Sequence, residues 1–240
     1  LAKSLPDIII QIKPAIVGVG TFQKTRRPPS KLLGTGFFVA DGYHVITNHH
    51  VIPANINSDK KERLVIFYKN QDRIQYRNVR VLDSDEAHDL ALLRIEGRKF
   101  PALDIETQRN PREGESIAFT GFPIGGVLGL FPATHRGIIS AISPVAIPAP
   151  SSSALDAKTI RRLQKPYRVY QLDATAYPGN SGSPVFSQSD GRIIGVVNSV
   201  FVKESKESVL QKPSGITYAI PSKYIVRLLK KNKISVFSDR

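Results

Sequence analysis

The chain has 240 residues, 41% of them apolar and 22% charged, with no cysteine and a formal net charge of +14. The missing cysteines exclude disulfide staples, thiolate metal sites and a cysteine nucleophile, and leave both oxidising and reducing compartments open. No apolar run approaches the roughly 18 residues that cross a bilayer, so the chain reads as soluble, with any export signal or anchor removed or lying upstream of Leu1.

In chain order, Ser4 to Ile12 is a weak helical start. Short segments rich in β-branched and aromatic residues then recur between turn signals: Ala15–Phe22, Gly34–Ala40, Tyr43–Thr47, Arg63–Lys69, Arg73–Leu82 and Leu90–Glu96. A charged, proline-bearing stretch from Gly97 to Gly114 reads as a linker. A second series follows at Ser116–Phe122, His135–Ser143, Tyr167–Ala174, Ser183–Phe186, Arg192–Phe201 and Gly215–Ile220. About a dozen short strands, with no helix of crossover length between them, predict antiparallel barrels rather than a parallel α/β sheet.

Two sets of six predict two barrels. The units expected are 1–100, an N-terminal helix and the first barrel; 101–115, the linker; 116–220, the second barrel; and 221–240, a helix and tail. Between Pro144 and Pro166 lies a long irregular loop. Ser222 is the expected cap of the last helix, in which Ile225, Leu228 and Leu229 share a face and Lys230 and Lys231 suit the negative end of the dipole. The basic residues occur as scattered pairs, Lys60-Lys61, Arg161-Arg162 and Lys230-Lys231, without interleaved aromatics. This pattern predicts no dedicated nucleic-acid partner, and only a weak, salt-sensitive attraction to acidic surfaces.

The sharpest local signal is Gly179-Asn180-Ser181-Gly182-Ser183-Pro184. A serine nucleophile needs a hydroxyl held beside backbone N–H groups that can bind an oxyanion. Pro178-Gly179 favours a type II turn that aims the Gly179 and Ser181 amides into one pocket. An ordinary Gly/Ser turn has the same composition. His50 follows a strand, where an imidazole held through its other nitrogen by a carboxylate can serve as a general base. By itself such a histidine is more often structural, and His49-His50 also suggests a metal, although four good ligands are not evident. Asp89 immediately precedes an apolar strand, a place where a carboxylate can be buried beside the imidazole. Asp83, Asp85 and Glu86 compete for that role, but their polar setting predicts solvated turn residues. The order His, Asp, Ser along the chain is that of chymotrypsin-type barrels, not of subtilisins or α/β-hydrolases.

Four segments, Gly34-Thr35-Gly36-Phe37, Thr47-Asn48-His49-His50-Val51, Asp89-Leu90-Ala91-Leu92-Leu93 and Gly179-Asn180-Ser181-Gly182, are joined by Gly215-Ile216-Thr217-Tyr218-Ala219-Ile220-Pro221 before the final helix. With these the chain resembles the HtrA/Deg branch of trypsin-like serine proteases over nearly its whole length. The resemblance implies an all-β, chymotrypsin-like double six-stranded β-barrel with a C-terminal helix. It implies a serine endopeptidase acting on unfolded or exposed polypeptide segments, with His50 as base, Asp89 as its orienting partner, Ser181 as nucleophile and the Gly179 and Ser181 amides as oxyanion hole. No cofactor and no metal are implied. A primary pocket at Ala176, Asn198 and Val200 is implied; none of these is acidic, so small or medium aliphatic substrate side chains are expected.

A homotrimer, control through ordering of the loop from Tyr177 to Asn180, and protein quality control in a periplasmic or secreted setting are also what the resemblance implies; members of the branch usually continue into a PDZ domain, and the sequence fits both a piece of such a protein and a relative naturally without one. Leu1 does not begin an Ile/Val-rich terminus, so activation of the trypsin kind is not expected. Ser183 and Pro184 depart from the branch, replacing its second glycine in the manner of glutamyl endopeptidases. The specificity histidine of those enzymes is not matched, since Val197 stands at its place. Two other readings of the residues remain at this point: a catalytically quiet protease-fold binding scaffold, and a chaperone-like holder of unfolded clients.

Overall fold

A computed structural model describes residues 3–71, 73–123, 130–144, 167–198 and 216–236. The N-terminal helix α1 (Leu5–Ile12) starts because Ser4 and Asp7 form a capping box, each side chain satisfying the other's backbone N–H, with proline in the first turn. Ile8 and Ile12, four apart on one face, are buried.

Six strands follow: β1 (Ile16–Phe22), β2 (Ser30–Val39), β3 (His44–Thr47), β4 (Arg63–Asn70), β5 (Arg73–Asp85) and β6 (Leu90–Ile95). They close in the order β1-β2-β3-β6-β5-β4, all antiparallel, with β1 pairing both β2 and β4. The second barrel comprises β7 (Ser116–Gly121), β8 (Ala133–Pro144), β9 (Arg168–Asp173), β10 (Pro184–Ser187), β11 (Ile193–Asn198) and β12 (Ile216–Pro221). It closes as β10-β11-β12-β9-β8-β7. The expected double six-stranded barrel is therefore the observed fold. Closure leaves neither barrel with a free strand edge. The second interior is filled by Ile117, Phe119, Ile139, Leu172, Val185, Ile194 and Val197, while the first core continues into both terminal helices.

Boundaries differ from expectation for local reasons. β2 starts at Ser30, which pairs with Phe22 across the hairpin, and β5 runs on to Asp85 past a register shift between Val81 and Asp83. The expected strand to Phe201 is described only to Asn198, and Gly215 and the loop from 145 to 166 lie outside the described residues. The final helix α2 (Ser222–Lys231) buries Tyr224, Ile225, Leu228 and Leu229. Ser222 does not cap it. Pro221 holds the N-cap position, and the Ser222 hydroxyl donates instead to Glu106 O at 3.2 Å.

That bond belongs to the connector between barrels, which is fastened at both ends. Leu103 N donates to Phe38 O at 2.9 Å on the first barrel, and Glu106 N to Ile193 O at 2.9 Å on the second. The Glu106 carboxylate, 4% exposed, accepts from the backbone N–H groups of Gln108 and Arg109 and pairs with the Arg109 guanidinium at 3.2 Å. Burial pushes its carboxyl up, but these donors and the Arg109 charge outweigh burial and hold it below the ordinary value. The connector thus ties the two barrels to each other.

Candidate active site

β3 and β6 are antiparallel neighbours, with Thr47 opposite Ala91. The exit of β3 and the entry of β6 therefore meet at one rim, and His50 and Asp89 meet there too. His50 lies in a single 3-10 turn, His49–Val51. Its Nδ1 faces Asp89 Oδ2 at 2.7 Å, and its backbone N–H donates to Asp89 Oδ1 at 2.9 Å. The carboxylate grips the ring and the main chain of one residue, which fixes the rotation of the imidazole. With Nδ1 committed to a carboxylate it carries the proton, leaving Nε2 as the acceptor. Asp89 itself sits at φ 51, a left-handed conformation that aspartate tolerates better than most residues. Its carbonyl is held by His49 N at 3.2 Å and Asn48 Nδ2 at 3.0 Å.

The serine loop is built on the second barrel and stitched to the first. Gly179 has φ 101, and Asn180 N donates to Tyr177 O at 3.0 Å, closing the turn whose positive third corner requires glycine. Thr35 on β2 holds the loop twice: its N–H donates to Ser181 O at 2.8 Å and its hydroxyl to Gly179 O at 2.8 Å. Gly182, at φ 87, lies so close that a Cβ there would be 2.0 Å from Thr35 O. This is the physical content of the Gly-Thr-Gly segment: small residues let β2 approach the loop. The N–H groups of Asn180, Gly182 and Ser183 are all spent on backbone carbonyls. Among the described residues, those of Gly179 and Ser181 make no backbone hydrogen bond.

β11 brings the two halves together. Val197 O accepts from Gly182 N at 3.0 Å, and the next residue, Asn198, donates from Nδ2 to Asp89 Oδ2 at 2.7 Å. The residues that hold the neighbour of Ser181 and the partner of His50 are thereby adjacent on a single strand. Asn198 was expected in the substrate pocket, and its link to Asp89 is one that sequence reasoning missed. A buried Asn at the end of a strand gave only its polarity as a signal. Ala176 packs beside the core of the second barrel and donates its N–H to Thr217 Oγ1 at 2.9 Å. Val200 lies outside the described residues.

Two of the three competing carboxylates, Asp83 and Asp85, are occupied elsewhere and not merely solvated, while Glu86 is about half exposed, 4.0 Å from His49 Nε2. Asp83 takes Lys231 Nζ and Asn232 Nδ2 at 2.8 Å each, and these two hydrogen bonds, Lys231 first, hold its carboxyl below the ordinary value. Asp85 faces His88 Nδ1 at 2.6 Å, and the His88 ring stacks on Tyr224 of α2 with centroids 3.9 Å apart. Burial pushes the Asp85 carboxyl up, but the hydrogen bond and charge of His88 outweigh it and the net direction is down. Both acids fasten α2 to the first barrel, leaving Asp89 to the cleft.

A profile of the trypsin-like peptidase domain matches residues 34–196, from the Gly-Thr-Gly segment to the middle of β11. The chain belongs to the trypsin-like peptidase family. Among curated relatives, serine protease HTRA3 of Rattus norvegicus is 25% identical over 232 residues, covering 95% of this chain and 44% of that protein. The probable periplasmic serine endoprotease DegP-like of Rickettsia prowazekii is 31% identical over 215 residues, covering 88% of this chain and 36% of its own length. This trypsin-like peptidase chain thus spans less than half of the curated relatives it matches. The solved HtrA-type protease AlgW with tripeptide superposes with a TM-score of 0.66 at 24% identity, over 95% of this chain and 63% of that one. The resemblance to the HtrA/Deg branch holds in the relatives and in the fold.

Proposed function

We propose that this chain is a serine endopeptidase that hydrolyses peptide bonds in unfolded or exposed protein segments. Ser181 is the nucleophile, His50 the general base and acid, and Asp89 the group that fixes the His50 tautomer. Attack of Ser181 Oγ on the scissile carbonyl passes the hydroxyl proton to His50 Nε2, and the Gly179 and Ser181 N–H groups receive the oxyanion. His50 then gives the proton to the departing amine, leaving an acyl-enzyme. Water, deprotonated by the same nitrogen, releases the acid and restores the serine. Asp89 stays ionised throughout and stabilises the imidazolium.

The observation that carries this reading is the double hold of Asp89 on His50, through Nδ1 and through the backbone N–H. A merely structural histidine has no need for it. Support for the oxyanion role comes from the Gly179 and Ser181 amides, left without a backbone acceptor among the described residues while those of Asn180, Gly182 and Ser183 are spent on carbonyls.

Ala176, Asn198 and Val200 form the primary pocket in this reading, with small or medium aliphatic side chains preferred. The periplasmic description of the DegP-like relative supports an extracytoplasmic setting, with protein quality control as the role and a homotrimer as the assembly. The division into 1–100, 101–115, 116–220 and 221–240 follows the same reading. Side-by-side digestion of casein by the wild type and Ser181→Ala, together with labelling by a fluorophosphonate, tests the activity. Cleavage and labelling by the wild type alone are expected. A wild type that the fluorophosphonate does not label has no activated serine, and a binding scaffold would take the place of the enzyme.

A further inference from the structure

On the first barrel, away from the interbarrel cleft, the outer face of β5 and β6 carries an arrangement the hydrolysis does not use. Arg80 and Arg94 are direct cross-strand partners, and Arg94 is in turn opposite His44 on β3. Cross-strand partners project from the same face, so two arginine side chains leave the sheet from neighbouring positions, where like charges oppose each other. The segment after α2 crosses this face and brings Lys233 to it. Together these residues line a cleft of about 500 Å³.

Some close charges among the described residues are compensated, as Asp83 is by Lys231 and Glu106 by Arg109. These are not. Among the described residues, neither Arg80 nor Lys233 has an acidic partner. Arg94 meets His44 Nε2 at 3.1 Å and lies over the Tyr43 ring at 5.8 Å, and neither contact supplies negative charge. Among the described residues the one carboxylate lining the cleft, Asp41, accepts from His44 Nδ1 at 2.8 Å and from Tyr43 N at 2.9 Å. The His44 ring is thus held at both nitrogens and orients Arg94 toward the cleft.

Lys233 reaches the cleft through a turn. Its φ is 59, its N–H donates to Lys230 O at 3.0 Å, and Ile234 N donates to Leu229 O at 3.0 Å. That is a Schellman turn in which the left-handed position, usually glycine, is occupied by lysine. Lys61 adopts the same conformation at φ 55; what the turn does here is place Lys233 among the residues that line the cleft.

We propose that this cleft binds a phosphate group, with the Arg80 and Arg94 guanidinium groups and the Lys233 ammonium as its ligands. Planar guanidinium forks match the tetrahedral oxyanion, and a doubly charged group between them turns a repulsive pair into an attractive one. The phosphate bridges β5, β6 and the segment leaving α2, and so fastens the C-terminal segment to the barrel.

Titration with inorganic phosphate, at constant ionic strength set by chloride and followed by calorimetry and thermal unfolding, tests the site on the wild type, Arg80→Ser and Lys233→Gly. Arg80 is exposed, and glycine suits the φ of Lys233, so both variants are expected to fold. Saturable binding by the wild type, weakened about tenfold or more in each variant, is expected, since losing one charge-assisted contact is worth about that factor. Absence of saturable binding overturns the proposal. So does equal binding or equal stabilisation in all three proteins, which would mean an adventitious ion only, or the general stabilisation of folded chains by a salt excluded from their surface. Sedimentation with vesicles carrying a phosphomonoester headgroup separates the sources. Cosedimentation lost in both variants assigns the phosphate to lipid, and phosphate binding without cosedimentation assigns it to a small soluble ligand.

Discussion

Asn198 Nδ2 donates to Asp89 Oδ2 over 2.7 Å, the same oxygen that faces His50 Nδ1 at 2.7 Å. The bond crosses from the second barrel to the first and lets one carboxylate answer to both. With Oδ1 taken by the His50 backbone, both oxygens of Asp89 are engaged, and its plane is set by two barrels instead of one. Asn198→Ala leaves the carboxylate anchored on one side only. Its expected effect is a fall in kcat of about 10- to 100-fold, the worth of a hydrogen bond to a charged group, with KM changed much less. A variant with altered KM and unchanged kcat would return Asn198 to the substrate pocket alone.

Asp89→Asn is nearly isosteric and tests the tautomer directly. An amide can donate to Nδ1, which places the imidazole proton on Nε2 and removes the acceptor for the serine proton. The expected loss in kcat is about 10⁴-fold, with residual activity from the amides of the serine loop. Ser181→Ala in the Asp89→Asn background should add far less than it does alone, because residues acting as a unit are not additive. Multiplicative losses would show that the two residues do not belong to one mechanism.

The strands and the triad pattern were legible because period-two alternation and short motifs are local properties. Arg63–Asn70 and Leu90–Ile95 lie within a residue of their expected ends. What the chain did not disclose is pairing over distance. Asn198 and Asp89 are 109 residues apart, and nothing in the Gly-Val-Val-Asn run says that its amide reaches the other barrel. Ser222 follows a proline in the manner of an N-cap, yet the buried carbonyl of Glu106 needed a donor and took the hydroxyl. Asp83 and Asp85 have the composition of a solvated turn, and only the packing of α2 against β5 and β6 shows them to be anchors.

The Ser183 substitution has a structural counterpart in Gly121. A Cβ at position 121 would lie 1.9 Å from Ser183 Oγ, so the hydroxyl occupies the space that glycine leaves. Both residues are buried behind the serine loop. Gly121→Ala should destabilise by about 1–3 kcal/mol through overpacking and slow fluorophosphonate labelling of Ser181. Adding Ser183→Gly removes the nearest clashing oxygen and leaves Thr35 Oγ1 at 2.9 Å, so the double variant should recover part of both losses. Urea unfolding of the four proteins measures the coupling. Simple additivity would mean that the two sites do not share that space.

His135 supplies a prediction about acid. Its ring stacks on Phe119 with centroids 4.9 Å apart and stands 6.0 Å from Tyr177, the residue before the Pro178-Gly179 turn. Nε2 is buried without a partner, and burial pushes the imidazole below its ordinary value of 6.5. The unfolded chain therefore takes up this proton at a higher pH than the folded one. Above the ordinary value both states are neutral and the contribution is fully favourable. As pH falls through 6.5 the unfolded state binds the proton first, and stability declines until the folded value is passed. His135→Phe keeps an aromatic ring against Phe119 and cannot be protonated. Urea midpoints measured from about pH 7.5 down to about pH 5.5 should fall more steeply for the wild type than for this variant. If the two proteins lose stability in parallel, protonation of His135 is not what acid does to this fold.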